Sequence, residues 1–123
     1  MLRFLLDENI SPVVARQILV PRPEIAVVSL AAWERGTYLA SPDDVLLLAA
    51  CRQGLTLVTY DQRTIVPLIK LWSEQGITHG GVIFVSRNTI RHNDFGSLVQ
   101  ALCQLWDRDG ATDWTDRVAY LTR

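Results

Sequence analysis

The chain of 123 residues is long enough for one hydrophobic core, and we expect a single domain over residues 1–123. Its composition, 49% hydrophobic and 20% charged, excludes a disordered chain, and its apolar runs are too short for a membrane helix. A net charge of −1 excludes a general electrostatic attraction to nucleic acid, so any such contact must use local basic groups.

The cysteines and the N-terminal residues indicate in which cellular compartment the protein is expected. Cys51 and Cys103 lie in segments that resemble helices, and buried free thiols are favoured over a disulfide. The N-terminus lacks a basic region followed by a long apolar one, the pattern of a secretory signal. These features predict a cytoplasmic protein without a membrane partner.

The first predicted unit is a strand over 2–6 followed by a helix over 11–19. Two acids and an amide, Asp7, Glu8 and Asn9, follow the strand directly, and a Ser-Pro pair then begins the helix. A buried strand would therefore present carboxylates at its C-terminal end, the edge at which open α/β sheets bind ligands.

The second unit contains a β-branched strand over 24–30, a long connection and a helix. Ser41 is the predicted N-cap of that helix and Pro42 its first residue. Asp43 and Asp44 follow in the first turn, near the positive end of the helix dipole.

The run Val45 to Cys51 in this second helix is apolar without a break. A helix that is apolar on all sides is either buried on both faces or covered by a partner chain. A homodimer that packs this helix against its copy is therefore one expectation.

Two further strands also end in polar side chains. The third, over 55–60, is followed by Asp61, and the fourth, over 82–86, is followed by Arg87 and Asn88. The remaining predicted elements are helices over 65–75 and 94–106, the latter capped by Asn93, and a last strand over 118–121.

This alternation predicts an α/β fold of three layers, Rossmann-like, with a mostly parallel central sheet, helices on both faces and right-handed crossovers. The ends of the first, third and fourth strands would then lie along one edge. Adjacent strands lie about 4.8 Å apart, so carboxylates at neighbouring ends would be close enough to share one small cation.

Acids from three segments form the candidate site. Carboxylates held together raise one another's pKa unless a cation intervenes, and Mg²⁺ or Mn²⁺ prefers such oxygen ligands. Zinc is not expected, because His79 and His92 are predicted surface residues without ligand spacing. Plain helix capping is the competing interpretation of the acids in the second helix. The candidate acids are Asp7, Glu8, Asp43, Asp44 and Asp61, and the neighbours predicted to bind substrate are Asn9, Thr59, Arg63, Arg87 and Asn88.

Three motifs resemble the small PIN-like proteins of the Mut7-C/DUF5615 group. They are LLDENISP at 5–12, SPDDVL at 41–46 and LVTYD at 57–61, and the resemblance covers roughly residues 2 to 87. It implies a Rossmann-like PIN fold, a pocket that holds Mg²⁺ or Mn²⁺, and metal-dependent endoribonuclease activity on RNA. In such proteins this activity is often that of the toxin in a toxin–antitoxin pair, so a cognate antitoxin is an implied partner.

The resemblance also implies roles for individual residues. Asp7 and Asp61 would be metal ligands from the first and third strands, and Glu8, Asp43 and Asp44 would be auxiliary acids. Among these auxiliary acids, Asp44 is our candidate for a third metal ligand. A metal-bound water would then attack the RNA, whose backbone Arg63, Arg87 or Arg91 would position without base specificity.

Two positions depart from the pattern of these relatives. Pro42 and Arg63 stand where the relatives usually carry acids. The loss of carboxylates would weaken metal binding, although Arg63 would suit a phosphate contact. One alternative is therefore a catalytically impaired PIN-like module that binds a protein or RNA partner. A phosphatase or a DNA nuclease that uses the same carboxylates is another.

Overall fold

The computed structural model describes residues 1–123. Its elements in chain order are β1 (Phe4–Leu6), α1 (Pro12–Leu19), β2 (Val27–Ser29), a short 3-10 helix (Trp33–Gly36), α2 (Asp43–Arg52), β3 (Thr56–Thr59), α3 (Gln62–Gln75), β4 (Val82–Val85), α4 (Phe95–Asp109) and β5 (Val118–Leu121). The strands form one sheet in the order β2-β1-β3-β4-β5, and every neighbouring pair is parallel. The predicted three-layer, Rossmann-like α/β fold is confirmed.

Helices cover both faces of the sheet. On one face α1 packs with α4, and on the other face α2 packs with α3. Successive strand residues point to opposite faces, so Phe4 and Leu6 enter the first layer and Leu5 the second. All three side chains are fully buried, which explains why the strands of this parallel sheet are continuous apolar runs in the sequence.

The crossover from β4 to β5 has the opposite hand to the other three, which corrects the expectation of right-handed crossovers throughout. The connections β1-α1-β2 and β4-α4-β5 step toward opposite edges of the sheet, yet α1 and α4 lie on the same face. The eight-residue α1 is too short to cover that face, and α4 buries Leu98, Leu102 and Leu105 there. The other face of β5 therefore has no helix over it, and Val118 and Tyr120 are exposed.

The starts of two helices differ from the predicted ones. Helix α2 begins at Asp43, and Pro42 occupies the N-cap position without a side-chain hydrogen bond. Helix α3 begins three residues earlier than predicted because Asp61 caps it, so Pro67 lies inside the helix and not in its first turn. Asp61, which the sequence assigns to metal binding, therefore also defines the start of a helix.

The predicted N-caps of α1 and α4 agree with the structure to within one residue. Ser11 is the N-cap of α1 as predicted, and its hydroxyl accepts a hydrogen bond from the N–H of Val13 at 3.2 Å. The N-cap of α4 is Asp94 and not the neighbouring Asn93, because the Asp94 carboxylate accepts from the N–H of Ser97 at 3.2 Å. Each helix end is thus satisfied by a side chain close to the predicted position.

The two histidines have different environments. His92 is exposed as predicted, but His79 is buried, so its assignment to the surface was wrong. The His79 Nδ1 accepts from the backbone N–H of Gly81 at 3.0 Å, and the backbone N–H of His79 donates to Asp116 Oδ1 at 3.0 Å. Burial lowers the pKa of His79, and the residue links the segment before β4, through its ring, to the turn before β5, through its backbone N–H.

Two simpler predictions concern the cysteines and the membrane. Cys51 lies in α2 and Cys103 in α4, and both are free thiols as predicted, although they are half-buried and not buried. The two helices cover opposite faces of the sheet, so the thiols are separated by it. No helix combines the length and apolar character needed to cross a bilayer.

Candidate functional site

The strand order reverses between β1 and β3, and predicted site residues lie at the carboxyl ends of these two strands. The chain leaves β1 toward β2 on one side and later returns to form β3 on the other side. Doubly wound sheets have a crevice for ligands at such a point. Asp7 directly follows β1 and Asp61 lies just beyond β3, so the fold brings both segments to this crevice.

Asp7 is a half-buried carboxylate held by two hydrogen bonds. Its Oδ2 accepts from Thr59 Oγ1 at 2.7 Å, and its Oδ1 accepts from the backbone N–H of Glu8 at 2.8 Å. Burial raises the pKa of Asp7, the two hydrogen bonds oppose this, and the negative charges of Glu8 and Asp43 add to the rise. The ionised form of Asp7 is therefore disfavoured, and a nearby cation would relieve that penalty.

Asp61 uses its carboxylate to cap α3. Its Oδ1 accepts from the backbone N–H of Thr64 at 3.2 Å, and its Oδ2 accepts from the Thr64 hydroxyl at 2.7 Å. The hydrogen bonds from Thr64 lower the pKa of Asp61, against a smaller opposing effect of burial. Asp61 therefore has a structural role that needs no ligand.

The Thr59 hydroxyl links the two acids at the switch point. It donates to Asp7 Oδ2 and accepts from the backbone N–H of Asp61 at 3.0 Å. Thr59 is fully buried, which corrects the prediction that it contacts substrate. Its buried hydroxyl holds the Asp7 carboxylate in position through a hydrogen bond.

The remaining acids are not assembled into one cluster with Asp7. Asp43, half-buried at the start of α2, acts on Asp7 through its charge. The Oε1 of Glu8 accepts from the N–H of Ala40 at 3.1 Å, which ties the loop after β1 to the segment before α2. Asp44 is exposed, and its Oδ1 accepts from the next backbone N–H at 2.9 Å. No three His, Cys, Asp or Glu side chains lie close enough together to hold a metal ion.

A cleft with a volume of about 570 Å³ lies at the ends of β3 and β4. Four predicted substrate residues line it, namely Asn9, Arg63, Arg87 and Asn88, together with Asp61. Arg63 and Arg87 are exposed, and neither forms an ion pair within the chain. Two guanidinium groups are therefore free to bind an anion, and bidentate phosphate contacts are typical of arginine.

A cluster of two rings and a guanidinium beside this cleft was missed by the sequence analysis. The ring centroids of Tyr60 and His92 lie 4.0 Å apart, and the Arg87 guanidinium carbon lies 5.8 Å from the Tyr60 centroid. Tyr60 is buried, whereas His92 is exposed. Tyr60 is distant in the chain from Arg87 and His92, and the only available signal was an aromatic residue at the end of the third strand.

Comparisons of this chain with protein-family models, curated proteins and solved structures give no match. The class of protein is therefore defined only by the fold and by the geometry of the site. It is a three-layer α/β protein with a half-buried acid at its switch point and a cleft with two arginines at the ends of the adjacent strands.

The role of Asp61 as a helix cap leads to a stability prediction. Asp61→Ala should lower the free energy of unfolding by about 1 kcal/mol, because an N–H at the start of α3 loses its acceptor. Asp61→Asn should retain most of that stability, since Asn is an equally good N-cap. Urea denaturation of the three proteins measures the difference. Equal losses for both variants would show that the cap is not what Asp61 contributes.

Proposed function

We propose that the protein hydrolyses phosphodiester bonds in RNA with the help of a Mg²⁺ or Mn²⁺ ion held at Asp7. The observation that carries this proposal is the half-buried carboxylate of Asp7 at the switch point, where burial and the charges of Glu8 and Asp43 raise its pKa. A cleft at the ends of the adjacent strands offers the free guanidinium groups of Arg63 and Arg87 for a phosphate.

The donors around Asp7 suit an ion that retains most of its water. Mg²⁺ commonly binds proteins through one or two carboxylates and completes its shell with water and substrate phosphates, so three clustered acids are not required. Asp7 and Asp43 are the carboxylates that would hold it, with Glu8 adding negative charge. When bound, such an ion lowers the pKa of a water molecule and stabilises charge on the phosphate.

The residues of the cleft would hold the RNA backbone. Arg63 and Arg87 would bind phosphate oxygens, and the amides of Asn9 and Asn88 would bind phosphate or sugar oxygens. Such contacts position the substrate without reading its sequence. The exposed ring of His92 offers a stacking surface for an unpaired base, which supports a single-stranded substrate over a duplex.

The three motifs that resemble PIN-like proteins support the same proposal, because the first motif contains Asp7 and the third contains the end of β3 and Asp61. A role as the toxin of a toxin–antitoxin pair belongs to this proposal as well. A small open reading frame directly upstream of the gene would support that role.

The second candidate function is a catalytically impaired module that binds RNA or a protein. Two observations favour it. The Asp61 carboxylate is occupied by Thr64, and the acids predicted to act together are not grouped. Such a module would use the same cleft and the same two arginines without cleaving the bound chain.

A cleavage assay separates these two functions. Purified protein is incubated with labelled single-stranded RNA, duplex RNA and DNA, in the presence of Mg²⁺, Mn²⁺ or EDTA. We expect cleavage of single-stranded RNA with either ion and none in EDTA. Binding without cleavage under every condition would support the impaired module, and cleavage in EDTA would contradict the proposed chemistry.

The two arginines of the cleft should affect substrate binding more than the reaction. The double substitution of Arg63 and Arg87 by Ala should raise KM about tenfold or more with a smaller change in kcat, because hydrogen bonds to charged groups contribute roughly 1.5–3 kcal/mol. Arg16→Ala is the matched control, since Arg16 is an exposed arginine on α1 that does not line the cleft. An unchanged KM in the double variant would show that RNA does not occupy this cleft.

A further inference from the structure

The outer face of α2 carries two exposed apolar side chains and two charged side chains that form no ion pair within the chain. Val45 is 45% exposed and Leu48 is 39% exposed. Asp44 and Arg52 are also exposed, and neither forms an ion pair with another residue. An isolated apolar side chain on a surface is ordinary, but here two of them lie between two unpaired charges of opposite sign.

Helical geometry places three of these residues on one line. Asp44, Leu48 and Arg52 are spaced by four residues, so they lie one above another at intervals of about 6 Å along the helix. The opposite face of α2 is buried against the sheet and α3, through residues such as Leu46 and Ala50. The line therefore runs along the part of α2 farthest from the core, with the acid at one end, leucine at the centre and arginine at the other end.

We propose that this face binds the same face of a second copy of the chain, with the two α2 helices antiparallel about a two-fold axis at Leu48. Asp44 and Arg52 lie at equal distances from Leu48, so each Asp44 is opposite the Arg52 of the second copy. The two Leu48 side chains meet at the axis, and each Val45 extends the apolar contact. This is the self-complementary arrangement that a two-fold interface requires.

The charges on this face select both the partner and its orientation. A parallel pairing would place Asp44 against Asp44 and Arg52 against Arg52, and like charges in contact across an interface are unfavourable. A partner surface with charges of one sign would be attracted to either Asp44 or Arg52, but not to both. A single pair of helices buries less area than a standard stable complex, so we expect a dimer that dissociates on dilution. The inference does not depend on the proposed nuclease function.

Charge reversal tests this interface. Asp44→Arg and Arg52→Asp should each lower the association constant about tenfold or more, because each homodimer then opposes like charges at both ends. An equimolar mixture of the two variants should recover the association, since every pair in the mixed dimer again has opposite signs. Sedimentation velocity over a concentration series measures both effects, and circular dichroism verifies that each variant is folded.

Two further substitutions distinguish this face from another one. Leu48→Asp should abolish the dimer, whereas Tyr120→Asp should leave it unchanged, because Tyr120 is an exposed apolar residue on the edge strand β5. Three results would overturn the proposal: a wild-type protein that is monomeric at the highest concentration, a mixture that does not recover association, or a dimer lost with Tyr120→Asp but not with Leu48→Asp.

Discussion

Replacing Asp7 by Asn should reduce RNA cleavage about 100-fold or more and, at neutral pH, make the folded protein more stable. The loss of activity is expected because the proposed ion site loses its half-buried carboxylate. Charge stabilisation by a catalytic metal contributes several kcal/mol, and about 1.4 kcal/mol corresponds to a factor of ten in rate.

The gain in stability comes from the direction of the Asp7 pKa shift. A carboxyl group with a higher pKa in the folded state favours folding while it is protonated, and this contribution is lost as the pH rises through the folded pKa. Where Asp7 is ionised, the folded state bears the cost of burying its charge. The neutral Asn side chain has no such cost, so Tm should rise at neutral pH, and the difference should shrink as the pH falls toward the ordinary pKa of aspartate.

Two measurements check this pair of effects. Cleavage of labelled RNA gives the change in rate, and thermal unfolding in EDTA at several pH values gives the change in Tm without a contribution from bound ion. Glu8→Gln is the control, because Glu8 is exposed and should show a much smaller gain in Tm. Cleavage that is unaffected by Asp7→Asn would remove Asp7 from the reaction, and a lower Tm at neutral pH would show that burial does not dominate its pKa.

Replacing Thr59 by Val should destabilise the protein by about 1–3 kcal/mol and shift the pH dependence of cleavage upward. Val keeps the shape of the buried side chain but removes the donor to Asp7 and the acceptor for the N–H of Asp61. The hydrogen bond from Thr59 lowers the pKa of Asp7, so its loss should raise that pKa further. Activity that needs ionised Asp7 should then appear only at higher pH.

Urea denaturation and a pH–rate profile measure these two changes. Thr59→Ser restores the hydroxyl and should recover the position of the acidic limb of the profile, even if the lost methyl group lowers stability. A Val variant that is destabilised without any shift of the acidic limb would show that Thr59 supports the fold but does not act on Asp7.

Most of the strands and helix ends could be read from local patterns. A strand that is covered on both faces must be apolar at consecutive positions, which is why the runs around Leu5 and Val58 were recognised. Ser11 was recognised as a cap because its hydroxyl satisfies an N–H at the start of α1. Gly76 ends α3 with a φ of 71°, a left-handed conformation that glycine adopts readily. These features depend on neighbours in the chain.

Asp7 and Asp61 lie beyond the ends of two parallel strands as the sequence predicts, but their hydrogen-bond partners were not predicted. The sequence predicted that Asp7 and Asp61 follow parallel strands, and parallel strands in one sheet bring such ends together. It did not predict that the Asp61 carboxylate accepts a hydrogen bond from the Thr64 hydroxyl, or that the Asp7 carboxylate accepts one from the Thr59 hydroxyl. A carboxylate has several partners within reach, and the choice depends on the backbone geometry at the start of α3.

Composition, periodicity and capping thus specify the fold class, the order of elements along the chain and the segments that reach the switch point. The side of the sheet on which α4 packs, the burial of His79 and the contact between Tyr60 and His92 depend on the folded chain. Each of these joins surfaces that are far apart in sequence, and their free energy comes from areas that are buried only when those surfaces meet. The outward line of Asp44, Leu48 and Arg52 on α2 likewise becomes visible only once the opposite face is known to be buried.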